Sequence, residues 1–168
     1  GESLLKLGRE AAKLGIEMLV LDDGWFGERN DDNTSLGDWV VNEKKLGCTM
    51  GELIGKINDL GLKFGLWIEP EMVSEDSDLY REHPDWALQI PKRHPVRGRN
   101  QLVLDFSRKE IRDHVFDQIC SVLDQGKVDY IKWDMNRSIS DIYSSETKEQ
   151  GKVLYDYVLG VYDFLERL

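Results

Sequence analysis

Three times along the chain an apolar run of strand length follows a glycine and ends near a carboxylate eight residues beyond it. Gly15 leads to Asp23, Gly61 to Glu69 and Gly126 to Asp134. The runs are residues 16–21, 62–68 and 127–133. A helical pattern precedes each glycine: Leu4, Leu7, Ala11 and Leu14; then Met50, Leu53, Ile54, Ile57 and Leu60; then Ile111, Val115, Ile119 and Val122 behind a capping-box signature at Ser107-Arg108-Lys109-Glu110. Glycine just past a helix supplies the left-handed cap at low steric cost. A fourth helical stripe, Leu154, Val158, Val161 and Leu165, runs to the chain end without a stop signal, and a fourth extended stretch covers residues 101–106.

Helices that alternate with strands predict an α/β fold with a parallel sheet. No glycine-rich phosphate loop follows any strand, which disfavours an open nucleotide-binding sheet. The expected architecture is therefore a partial (β/α)8 TIM barrel. A complete barrel takes about 250 residues, so 168 residues with long loops at 27–37 and 91–100 hold about half of one. Residues 1–168 are expected to be a single segment of a (β/α)8 catalytic domain, truncated at both ends.

In such a barrel the C-terminal ends of the strands converge on the active-site mouth. Period-2 alternation puts Tyr130, Lys132, Asp134 and Asn136 on one strand face and Ile131, Trp133 and Met135 on the other. In the same way Gly65, Trp67 and Glu69 lie opposite Phe64, Leu66 and Ile68. Burying unpaired charge against a helix layer costs several kcal/mol, so the charged faces are expected to line the mouth. Trp25, Trp67 and Trp133 interleave with these acids, as suits carbohydrate rings. A structural Lys132–Asp134 ion pair inside the sheet is the competing explanation. Glu71 and Asp105 are read as loop acids or as acids supporting the site from behind. The basic run Lys92, Arg93, His94, Arg97 and Arg99 is either a solvated loop or the source of one guanidinium for the mouth.

Composition removes several other classes. With a net charge of −10, the chain has no footprint for nucleic acid, which needs clustered Lys and Arg, and no apolar run approaches the roughly 20 residues of a membrane span. Cys48 and Cys120 lie far apart without metal-ligand spacing, and no serine- or cysteine-type triad is legible. The 28–32 loop lacks the spacing of a Ca²⁺ loop. No metal and no cofactor is expected, although acids at strand ends plus a lysine would also suit Mg²⁺-assisted proton abstraction.

Four motifs then carry a resemblance. Leu21-Asp22-Asp23-Gly24-Trp25-Phe26-Gly27, Gly65-Leu66-Trp67-Ile68-Glu69-Pro70-Glu71-Met72-Val73, Arg99-Asn100-Gln101-Leu102-Val103-Leu104-Asp105 and Lys132-Trp133-Asp134-Met135-Asn136-Arg137 closely resemble the α-galactosidases of glycoside hydrolase family 36. The resemblance covers essentially the whole chain, in order.

It implies a retaining hydrolase that releases terminal α-linked galactose from oligosaccharides such as melibiose or raffinose. Asp134 would be the nucleophile, with the acid/base Asp on a later strand beyond the chain end. It further implies that Asp22 and Asp23 accept from galactose hydroxyls, that Trp67 packs against the ring, that Lys132 and Asn136 bind hydroxyls, and that Arg99 binds from its loop; Glu69 is expected to support the site. The isolated segment is expected to be inactive, or at most a sugar binder. Galactosyl transfer and N-acetyl-α-galactosaminide hydrolysis on the same core remain open. The expected partners are α-galactoside oligosaccharides, with a cytoplasmic location and a parent protein for which homo-oligomerisation is open.

Overall fold

Strands with apolar residues on both faces must be covered on both sides, and the middle one of the three runs is the most completely apolar. In a computed structural model describing residues 1–168, the elements run α1 (Glu2–Lys13), β1 (Met18–Leu21), α2 (Glu43–Leu46), α3 (Met50–Asp59), β2 (Lys63–Ile68), β3 (Met72–Ser74), α4 (Asp78–Glu82), β4 (Gln101–Val103), α5 (Lys109–Leu123), β5 (Tyr130–Trp133) and α6 (Val153–Arg167), with 3₁₀ turns at Pro84–Trp86 and Gln150–Lys152. The three expected strands form one parallel sheet in the order β1-β2-β5. Central β2 is buried from Phe64 to Ile68, whereas Tyr130 on β5 is exposed. The 101–106 stretch is a strand only over β4, and it pairs antiparallel with β3 outside the parallel sheet. No helix is long and apolar enough to cross a membrane.

Two of the three glycines act as caps. Gly15 and Gly61 take left-handed φ values of 77° and 81°. Gly126 does not; its place is set by packing, since a Cβ there would lie 2.9 Å from Ile54 Cδ1 on α3. The capping box expected at Ser107 is absent. The Ser107 hydroxyl donates to Asp105 Oδ1 at 2.5 Å, Arg108 Nε donates to Glu110 Oε1 at 2.7 Å, and α5 begins one residue later with no side-chain cap. A true capping box joins Thr49 and Glu52 at the start of α3, where Met50, Leu53, Ile54 and Ile57 are buried as their spacing predicts.

Two helices are turned away from the predicted stripes, of which Leu4 and Val161 still pack against the core. Leu7 in α1 and Leu14 at its C-cap are 60% and 80% exposed. The helix instead turns Gly8 inward, where a Cβ would lie 3.2 Å from both Ile57 and Leu60. In α6 the buried residues are Val153, Tyr157, Gly160 and Phe164, one position before the predicted set, a rotation of about 100°. Leu154, Val158 and Leu165 are exposed. Gly160 lies directly against the backbone of Phe106, so that a Cβ would stand 2.0 Å from its carbonyl oxygen. Close approach at a glycine, to the side chains of Ile57 and Leu60 in α1 and to the Phe106 backbone in α6, orients both helices rather than the richest apolar stripe.

Candidate active site

The sheet register places the acids. Leu21 pairs with Leu66, which pairs with Ile131, while Trp67 pairs with Lys132. Continued by one residue, this puts Asp22 level with Trp67 and Lys132. Asp134 anchors to β2 through its own amide, which donates to the Ile68 carbonyl at 2.9 Å. Counting eight from each glycine therefore runs one residue out of step on β1, and Asp22 rather than Asp23 faces the lysine. Lys132 Nζ donates to Asp22 Oδ2 at 2.9 Å. The alternative Lys132–Asp134 ion pair does not form; Lys132 acts on Asp134 only through its field.

Asp134 accepts three hydrogen bonds. Its Oδ2 accepts from the indole N–H of Trp67 at 3.0 Å and from the Asn136 amide at 2.8 Å, and its Oδ1 accepts from the Met135 N–H at 2.9 Å. Partial burial acts to raise its pKa. The hydrogen bonds from Trp67, Asn136 and Met135, with the nearby Lys132 charge, outweigh burial and hold Asp134 below its ordinary value. Asp22 is likewise held low, first by the hydrogen bond from Lys132. Since both folded values are depressed, the stability these groups contribute is fully present above the ordinary value of 3.8 and is lost as pH falls through the lower folded values.

Glu69, one strand away, behaves oppositely. It is 1% exposed, and burial raises its pKa despite hydrogen bonds from Asn136 and Gln101. Its Oε1 accepts from the Asn136 N–H at 2.5 Å and from Gln101 Nε2 at 2.8 Å. Asn136 thus bridges the two acids, and Glu69 serves to fix Asn136. Gln101 belongs to this support, and the sequence reading missed it; only its position two residues past Arg99 within a matching motif could have marked it.

Asp23 faces a different partner. Arg29, also missed, grips it from the 28–34 loop, with Nη2 2.9 Å from Oδ2. Arg99 reaches Asp32 of that same loop at 3.1 Å, close enough to Glu69 and Asp134 to feel both charges. Arg97 pairs with Glu75. The structure therefore gathers Asp22, Trp67, Lys132, Asp134 and Asn136 into one network, with Asp23 and Arg99 joined in a second one beside it.

The tryptophans are not arranged as three open rings. Trp25 is buried, donating its indole N–H to the Trp67 carbonyl at 2.9 Å. Trp67 is buried in parallel stack with Phe26, so its N–H edge is what meets the site. Trp133 points the other way, donating to Glu71 Oε2 at 2.9 Å and packing edge-on against Phe164 of α6. Glu71 also accepts from the Tyr157 hydroxyl at 2.5 Å, which ties α6 to the back of β5. No group of three or more His, Cys, Asp or Glu side chains has metal-holding geometry.

A testable consequence concerns the acid side of any reaction that needs ionised Asp134. Trp67→Phe or Asn136→Ala removes a donor to the charged carboxylate, so the pKa rises. A hydrogen bond is worth on the order of 1 kcal/mol net, and one pKa unit is about 1.4 kcal/mol. The acidic limb of kcat/KM is therefore expected to move upward by about 0.5–1 pH unit in either variant. An unmoved limb would remove these donors from the control of Asp134.

Comparison with known proteins agrees with this geometry. The melibiase family model matches residues 1–168. The bifunctional alpha-galactosidase/sucrose kinase AgaSK of Mediterraneibacter gnavus is 66% identical over the whole chain, which covers 17% of that protein. The structure of the GH36 alpha-galactosidase AgaB from Geobacillus stearothermophilus superimposes with a TM-score of 0.96 at 48% identity, covering 99% of this chain and 23% of that one. A variant of AgaA from the same organism, in complex with raffinose, gives 0.94 at 49% identity over 98% and 23% of the two chains. The chain thus spans about a fifth of the length of the relatives it matches. Since the family match leaves no stretch from Gly1 to Leu168 outside it, the chain belongs to the melibiase family.

Proposed function

We propose that residues 1–168 form consecutive βα units of a (β/α)8 catalytic barrel in a retaining α-galactosidase, with Asp134 as the nucleophile. The observation that carries this is the environment of Asp134. It stands at the carboxyl end of a parallel strand and receives three hydrogen bonds that favour its charged form. A carboxylate so held is ready to attack an anomeric carbon. In the retaining mechanism Asp134 Oδ forms a bond to that carbon while the glycosidic C–O bond breaks and the leaving oxygen takes a proton from a second carboxyl group about 5–5.5 Å away. Water activated by that second group then cleaves the glycosyl ester and frees Asp134.

Glu69 is a poor candidate for the second group, since it is buried, its Oε1 accepts from Gln101 and the Asn136 N–H, and its Oε2 faces the Asn136 amide. We assign the acid/base to a carboxyl outside residues 1–168. In the same scheme Asp22, Asp23, Lys132, Asn136 and Arg99 bind sugar hydroxyls, and Trp67 contributes the donor that orients Asp134. Raffinose in the AgaA relative supports α-galactoside oligosaccharides as the substrate class. The two free thiols, Cys48 and Cys120, fit a reducing compartment such as the cytoplasm.

The test is hydrolysis of an aryl α-galactoside and an aryl N-acetyl-α-galactosaminide by the native-length protein, with the product anomer followed by NMR. Release of α-galactose, ahead of mutarotation and in preference to the acetamido sugar, is expected. First-formed β-galactose would overturn the retaining mechanism, and preference for the acetamido sugar would overturn the substrate.

A further inference from the structure

We infer that Arg29 is a positioning residue for substrate recognition: it acts through Asp23 and makes one substrate hydroxyl a requirement. This inference rests on the galactosidase reading above. Arg29 is an unusual arginine, 4% exposed in a chain segment that is otherwise polar surface loop. Each of its three guanidinium nitrogens has an acceptor. Nε donates to Asp23 Oδ1 and Oδ2 at 3.1 and 3.2 Å, Nη2 to Oδ2 at 2.9 Å, and Nη1 to the Thr34 carbonyl at 3.0 Å. Lys45 Nζ holds the Arg29 backbone by donating to its carbonyl at 2.5 Å.

Asp22 and Asp23 are adjacent, yet each has its own cation. Lys132 comes from β5 to Asp22, and Arg29 comes from the following loop to Asp23. Two neighbouring carboxylates repel each other, and a separate cation beside each offsets that repulsion. The arginine fork does more than neutralise charge. An ionised carboxylate offers about four acceptor positions, and a planar fork occupies one side of it in fixed geometry. Asp23 is thereby turned so that its free lone pairs point in one direction. A site that presents such an oriented acceptor accepts one particular hydroxyl and rejects the analogue lacking it, because the acceptor is then left unpaired.

The network continues outward. Asp32 lies 3.8 Å from Arg29 and 3.1 Å from Arg99. The side chain that orients Asp23 is therefore linked through Asp32 to Arg99, a residue from a distant chain segment.

The test uses the native-length protein and a panel of aryl α-galactosides, each lacking one ring hydroxyl. Arg29→Met is expected to lower kcat/KM on the intact galactoside by about 10²-fold, the scale of a misplacement near 1 Å. Its penalty is expected to vanish for a single deoxy substrate, the same one for which the Asp23→Ala penalty vanishes. Arg29→Lys keeps a charge but loses the fork, and should show the same pattern with a smaller loss, which keeps the test open if the methionine variant melts below assay temperature. A penalty equal on every substrate would reduce Arg29 to a structural residue and overturn the inference, as would wild-type kinetics in both variants. Failure of the wild-type protein to hydrolyse the intact galactoside would instead overturn the galactosidase reading itself, before any Arg29 variant is compared.

Discussion

With alanine at position 134, the native-length protein is expected to lose roughly 10⁴-fold or more in kcat on an aryl α-galactoside, with its melting temperature little changed. The magnitude follows from removing the atom proposed to form the covalent bond, since nothing else nearby is free to replace it. Glu69 is held by Gln101 and Asn136, and Asp22 by Lys132. The fold should tolerate the change because Asp134 makes its sheet contact through its own backbone N–H to Ile68, which alanine retains. A small anion such as azide, entering the vacated volume, can attack the anomeric carbon from the same side and restore turnover of an activated substrate. The product would then be the β-galactosyl azide, identified by NMR. Wild-type turnover in Asp134→Ala would remove Asp134 from the reaction, and rescue that gave an α-linked azide would place the attack on the opposite face.

The second large effect is on stability and lies away from the chemistry. Gly160→Ala puts a methyl group 2.0 Å from the Phe106 carbonyl oxygen and 3.0 Å from Arg112 Nη1, itself 2.6 Å from that oxygen. Neither the backbone nor its arginine partner can yield without breaking that bond, so α6 must move outward. Its movement loosens Phe164 from Phe106, Phe116 and Trp133, and Tyr157 from Glu71. Overpacking of this kind costs about 3 kcal/mol or more when the obstacle is backbone. Activity should fall as well, because Trp133 is the strand residue between Lys132 and Asp134. Gly55→Ala is the matched control. That glycine lies within α3 with open space at the Cβ position, and alanine there should stabilise the protein by about 0.5–1 kcal/mol. Urea or thermal unfolding of the two variants tests both statements, and equal stability of Gly160→Ala and wild type would contradict the described seating of α6.

Much of the frame was legible in the amino-acid order. Period-2 alternation placed Lys132, Asp134 and Asn136 on one face and Trp133 on the other, as the hydrogen bonds of Asp134 and the packing of Trp133 on α6 show. The stripe of α3 was legible because that helix buries its apolar residues and nothing else. In α1 and α6 the same rule was only partly right, with Leu4 and Val161 on the core and the rest of each stripe turned off it: a glycine adds nothing to an apolar stripe, yet it allows the closest approach. The tryptophans misled for a related reason, since an indole is as well suited to filling a core as to flanking a sugar, and its N–H needs a partner when buried. For Trp25 and Trp67 the core took the ring and left the N–H for a carbonyl and for Asp134.

What the chain determined by itself is local and periodic: the alternation of helix with parallel strand, the left-handed caps at Gly15 and Gly61, and the arrival of acids at strand ends. Only the tertiary structure decided the pairing of charges. Lys132 goes to Asp22 across the sheet, Asp134 to Trp67 and Asn136, Asp23 to an arginine of the next loop, and Arg99 to Asp32. The reason is physical. A strand dictates which way a side chain points, but its charge partner is set by the register with neighbouring strands and the path of loops, and a shift of one residue, as between Asp22 and Asp23, exchanges one cation for another.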